Sequence, residues 1–181
     1  MGMGVLGADN WQSINSSFAF GGQINYHPTD RFSIILNCLD GAQRQNNDGD
    51  HRRLIDLVTS WKVHDQVTLG LHALTGRESG LGRQGGTASW NGLVLYVQSD
   101  ITDQFSLNLR QEWFNDQEGV RIPAPTEVRG FTITPEFRIT PDWVVRIDFR
   151  FDTADRPIFN QNGNFVKHQN SIFFGQSYKF W

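Results

Sequence analysis

Residues 143–152 read Trp-Val-Val-Arg-Ile-Asp-Phe-Arg-Phe-Asp, with large apolar groups on the odd positions and Arg146, Asp148, Arg150 and Asp152 on the even ones. Successive side chains of a strand point to opposite faces, so a period of two dictates a β-strand with one apolar and one polar face. The same alternation runs through residues 105–113 and 131–139. It is less clean in 18–26, 32–39, 55–63, 67–75 and 90–97, and a last segment runs from 167 to 181. About nine segments of strand length result, and none of that length keeps a helical 3.6-residue period as well.

The connections alternate in length. Short polar turns stand at His27-Pro28-Thr29-Asp30, His64-Asp65-Gln66, Thr102-Asp103-Gln104 and Thr140-Pro141-Asp142, each followed by the apolar start of a new strand. Longer stretches rich in Gly, Asn, Asp and Gln separate them, at 41–52, 76–89, 115–127 and 153–164. The turn aspartates recur every ~35 to 40 residues, which makes the chain a series of similar hairpins. Tight turns at one end of a sheet and long loops at the other are the pattern of a transmembrane barrel. The aromatics follow the same axis. Tyr26, Phe32, Trp61, Phe105, Trp143, Phe180 and Trp181 lie near short turns or the chain end, and Phe18, Trp90, Trp113, Phe151 and Phe165 near long loops. Two belts are expected, with Tyr26, Trp61, Trp90, Phe105, Trp113, Trp143 and Phe151 as the aromatic girdle.

Composition removes several classes. One cysteine, Cys38, excludes a disulfide framework or a Cys-rich zinc module, and a net charge of -3 argues against a nucleic-acid partner. No run approaches the ~18 apolar residues of a membrane-spanning helix, but that test excludes helical membrane proteins only, because a barrel wall needs an apolar residue at every second position. The expected fold is all-β, an antiparallel up-and-down transmembrane barrel forming a single domain over residues 1–181. A soluble ligand-binding barrel also alternates, with its apolar face inward. The polar face carries Arg110, Glu112, Glu136, Arg138, Arg146, Asp148, Arg150, Asp152 and Lys179, with both signs interspersed. These are the expected lumen-lining charges.

The chain end, Gly175-x-x-Tyr178-x-Phe180-Trp181, resembles the C-terminal signal that the barrel-assembly machinery of bacterial outer membranes recognises. Arg110-x-Glu112-Trp113-Phe114-x-Asp116-x-x-Gly119-x-Arg121, Thr134-Pro135-Glu136-Phe137-Arg138 and Arg146-x-Asp148-x-Arg150-Phe151-Asp152, followed by Phe159, resemble the OmpL-like putative β-barrel porin-2 family. The resemblance implies a porin of the outer membrane of a Gram-negative-type bacterium, with outer-membrane lipid and small polar solutes as partners. Strand parity adds a condition. If Trp181 ends on the periplasmic side, the clear strands number nine, and a closed barrel needs an even count. Either residues 1–15 supply a short tenth strand, or the chain is part of a larger barrel completed by further strands, a partner chain or a homo-oligomer. The first residues lack the basic start and apolar run of a signal peptide.

Catalysis has little support. His27 and His64 sit in turns and His51 in a loop, while His72, mid-strand on the polar face, lacks a Ser or Asp at a diagnostic spacing. Asn46-Asn47-Asp48-Gly49-Asp50 lacks the calcium-loop pattern, the glycines at 80, 82, 85 and 86 have no strand-loop-helix context, and Cys38 reads as a small apolar residue. No catalytic residue, metal or cofactor is expected. The interior charges carry the functional expectation of a channel passing small hydrophilic solutes or ions. The alternatives are a structural or partner-binding barrel whose lumen is plugged by ion pairs, and the soluble ligand-binding barrel.

Overall fold

The computed structural model describes residues 2–5 and 16–180. Ten strands form one antiparallel sheet: β1 (Gly2–Val5), β2 (Ala19–Thr29), β3 (Phe32–Arg44), β4 (Asn47–His64), β5 (Val67–Glu78), β6 (Ala88–Asp100), β7 (Phe105–Asp116), β8 (Thr126–Thr140), β9 (Trp143–Ala154) and β12 (His168–Tyr178). Two short strands, β10 (Phe159–Gln161) and β11 (Asn164–Val166), make a separate hairpin, so β9 pairs with β12. Every other strand pairs with its sequence neighbours, which is the up-and-down order that the alternation predicts. The strand from the N-terminal stretch is β1, paired with residues 19–22. Among the described residues no pairing joins β1 to β12.

Two of the expected long loops are strand. Residues 41–52 extend β3 and β4 into a hairpin turned by Gln45 and Asn46, the latter at φ 54°, a left-handed conformation that Asn tolerates. Asp50 accepts hydrogen bonds from Arg44 Nη1 and Asn47 Nδ2, both at 2.7 Å, so polar composition here builds a hairpin tip rather than an irregular loop. The stretch 153–164 likewise holds the hairpin of β10 and β11.

Register assigns the two faces, because residues directly opposite each other project to the same side. Ile24, Leu36, Leu57, Ala73, Leu93 and Trp113 form one such row, and Phe151, Phe131 and Gln111 another. Only Ala19, Ala42, Ala88 and Trp90 are both apolar and buried among the described residues. Ile172 is 71% and Ile24 65% exposed, whereas Glu78, Asp116 and Asp152 are buried. A water-soluble barrel would show the reverse, so this sheet is built to face an apolar solvent on its outer side.

Of the girdle set, Tyr26, Trp61, Phe105, Trp113, Trp143 and Phe151 project outward with the aliphatic rows. Trp90 does not. It pairs with Gly76 on the polar face, is 3% exposed and lies beneath the Arg121 guanidinium at 3.9 Å. A cation over its ring and a glycine beneath it hold the indole inward, which corrects its expected place in the girdle. Trp181 lies outside the described residues.

Candidate functional site

The polar face of β7, β8 and β9 carries an ion cluster. Glu112 accepts from Arg150 Nη1 at 2.5 Å and forms an ion pair with Arg110 Nη2 at 3.1 Å, and Arg150 Nε donates to Asp152 at 2.8 Å. Room for four charged groups comes from Gly130, opposite both Glu112 and Asp152. A Cβ there would meet Asp152 Oδ1 at 2.8 Å and Glu112 Oε2 at 3.1 Å. Gly175 serves Arg146 in the same way, since a Cβ would fall 3.0 Å from Arg146 Nε.

On β2 to β5, below the Arg52–Glu78 pair at the loop-side end, the same face is organised by a ladder that contains no arginine. Gln23 Nε2 donates to Asn37 Oδ1 at 2.7 Å, Asn37 Nδ2 donates to Asp56 Oδ2 at 2.8 Å, and the other Asp56 oxygen is hydrogen-bonded to His72 Nε2. Between ladder and cluster opens a hollow of about 450 Å³, whose lining includes Ser60, Tyr96, Asn108, Arg110, Glu136, Arg146 and Asp148. Tyr96 lies over Gly70, where a Cβ would meet its own at 3.2 Å. Glu136 and Arg146 are cross-strand partners, yet no ion pair joins them among the described residues. Asp148 accepts from Thr134 at 2.7 Å.

Towards the loops the face is crossed by the segment 117–125. The Asp116 carboxylate accepts from the N–H groups of Val120, Arg121 and Ile122, at 3.0, 2.7 and 2.8 Å. That turn, with Gly119 at φ 69°, sends Arg121 over β6 to β5. There Glu78 Oε2 accepts from Arg121 Nη2 at 2.8 Å and from Arg52 Nε at 2.7 Å. The Glu78 side chain is 1% exposed, so this is a buried, charge-assisted clasp between wall and loop. At the next loop-side connection Asp155, exposed between β9 and β10, accepts from the Thr126 hydroxyl and the Glu127 N–H. These bonds, the Thr126 hydroxyl foremost, hold its carboxyl below the usual aspartate range.

A sheet with an apolar face, charges on the opposite one and a loop segment crossing the charged face narrows the comparison to membrane barrels. The family model described as "Putative beta-barrel porin-2, OmpL-like" matches residues 1–180. The chain belongs to that family. It is a porin-like β-barrel channel of the bacterial outer membrane. The fold is shared with a solved chain described as "NanC porin structure in rhombohedral crystal form", at a TM-score of 0.64 and 16% identity, over 91% of this chain and 79% of that one. No curated protein matches. Family membership answers the choice between a soluble and a membrane barrel, which alternation alone leaves open.

The structure brings Arg110, Glu112, Glu136, Arg146, Asp148, Arg150 and Asp152 onto one face, four of them in the cluster. Arg138 and Lys179 lie apart, at the short turns: Arg138 Nη1 donates to the Asp103 carbonyl and the Lys179 N–H to that of Asp142, both at 2.8 Å. Sequence reasoning did not find Asp56, Asn37, Tyr96, Glu78 or Arg121 as members of this face. Asp56 had a signal, a lone carboxylate inside the apolar stretch 54–58; Arg121 stands in the family motif, but nothing placed it on this face, since it sits in a loop.

Proposed function

We propose that the polar face lines a water-filled path through which small hydrophilic solutes cross the outer membrane of a Gram-negative-type bacterium by passive diffusion. The hollow beside Glu136 and Arg146 carries this reading: two opposite charges face it without pairing, which leaves them available to passing ions and dipoles. The charged residues of the cluster then act as lumen-lining groups, and the outward Tyr26, Trp61, Phe105, Trp113, Trp143 and Phe151 as anchors at the membrane interfaces. Gly175, Tyr178, Phe180 and Trp181 serve as the signal for the barrel-assembly machinery. Planar-bilayer recording tests the reading. Discrete conductance is expected, and Arg146→Glu with Arg150→Glu shifts its selectivity towards cations; silence in the bilayer overturns the channel, and unchanged selectivity overturns the lining.

A second reading is favoured by the Arg121 clasp, which places a loop across the face. In it the path is narrow and the lumen largely plugged. Loosening the loop by Arg121→Ala then raises single-channel conductance several-fold, whereas an open path leaves it within a factor of two.

A further inference from the structure

The outward face is apolar over most of its height, but its loop-side margin on β3 to β5 is charged. Asp40, Arg53 and Arg77 stand in one row, Asp40 opposite Arg53 and Arg53 opposite Arg77. Arg53 Nε donates to Asp40 Oδ2 at 2.5 Å, and His51 Nδ1 lies 2.6 Å from the other Asp40 oxygen. Asp40 therefore offsets one of two adjacent positive charges. The Arg53 side chain is 72% exposed, and Arg77, also exposed, has no ion-pair partner among the described residues. Like charges placed directly opposite on a sheet repel, and with Asp40 offsetting only one of the two, this row has room for a second anion.

Next to it lies a mostly apolar groove of about 390 Å³, lined by Phe20, Gly22, Cys38 and Ile55 among others, with Asp40 and Arg53 at its charged end. It exists because Gly22 and Cys38, cross-strand partners, are small, while Phe20 and Ile55 beside them are large. A free anion would leave the groove unused, and an uncharged lipid would leave the arginines unused. One molecule with both parts satisfies both.

We propose that this margin is a binding site for a phosphate-bearing membrane lipid of the loop-side leaflet. Its phosphate bridges Arg53 and Arg77 through charge-assisted hydrogen bonds, and one acyl chain lies in the groove over Gly22 and Cys38. The site faces away from the polar lining, so it binds independently of solute passage.

Cys38 is the chain's single cysteine and is exposed, which supplies a direct readout. The full chain, refolded in neutral detergent micelles, is alkylated with a maleimide in the presence of phosphatidic acid, diacylglycerol of the same acyl chains, or inorganic phosphate. Phosphatidic acid is expected to slow alkylation at least five-fold, with diacylglycerol and inorganic phosphate changing it by less than two-fold. In R53S/R77S the protection disappears. Equal protection by diacylglycerol reduces the site to an apolar slot, protection by inorganic phosphate reduces it to an anion pocket, and full protection in R53S/R77S removes the arginines; each overturns the proposal. Should that variant fail to refold, C38W, which fills the groove and keeps both arginines, decides by native mass spectrometry. Loss of the phosphatidic acid that the wild-type chain retains supports the site, and equal retention overturns it. None of these readouts requires conduction, so a failed channel and a failed lipid site are told apart.

Discussion

The two halves of the polar face solve one problem by different means. On β2 to β5 a ladder of amides, one carboxylate and one imidazole passes hydrogen bonds from strand to strand. On β7 to β9 two arginines and two carboxylates hold one another. Each rung of the ladder is a separate, replaceable bond, whereas in the cluster every member faces the charge of another, so removing one leaves its neighbours uncompensated. Glu78 joins the halves, since it ties Arg52 of β4 to Arg121 of the loop between β7 and β8.

The largest expected effect is therefore at the joint. Glu78→Ala leaves two arginines facing each other in a buried setting, and the loss is about 3–5 kcal/mol by analogy with other broken buried pairs. The measurement is the urea midpoint for refolding into detergent micelles, and a loss below about 1 kcal/mol would show that the halves are independent. Within the cluster, Glu112→Gln weakens the charge-assisted bond from Arg150 and removes the ion pair with Arg110, at a cost of about 1.5–3 kcal/mol in the same assay. In the ladder, Asn37→Ala removes one neutral rung and one to the Asp56 carboxylate, both only part-buried, and costs about 1 kcal/mol. If the ladder substitution proves as costly as the cluster one, the contrast between replaceable and shared bonds fails.

The smallest effect is at the loop-side margin. Asp155 has a depressed pKa in the folded chain, so its contribution is complete above the ordinary aspartate range near ~4 and is lost as pH falls through the folded-state value. The difference in refolding midpoint between the wild-type chain and Asp155→Asn should shrink on acidification below that range. A constant difference down to the lowest pH would remove the titration from the account.

Strand identity was legible wherever one face is charged, as on β9, where Arg146, Asp148, Arg150 and Asp152 mark the polar side. It was ambiguous on β6, where Leu93, Val94, Leu95 and Tyr96 are apolar on both faces and no alternation sets the phase of Trp90. What sets that phase is Gly76 on the neighbouring strand and Arg121 31 positions further along the chain, neither visible in a local window. The same reason hid the hairpin extension of β3 and β4, because polar residues that rise clear of the membrane look like loop.

By itself the sequence determined that the chain is a meander of strands with one apolar and one polar face, because period-two alternation is a local property of the backbone. It determined the charged set of the last strands for the same reason. The tertiary structure decided which charges pair and which face the hollow unpaired, and where glycines admit Trp90, Tyr96 and Arg146. Those outcomes depend on register, and register is a relation between strands that no single strand encodes.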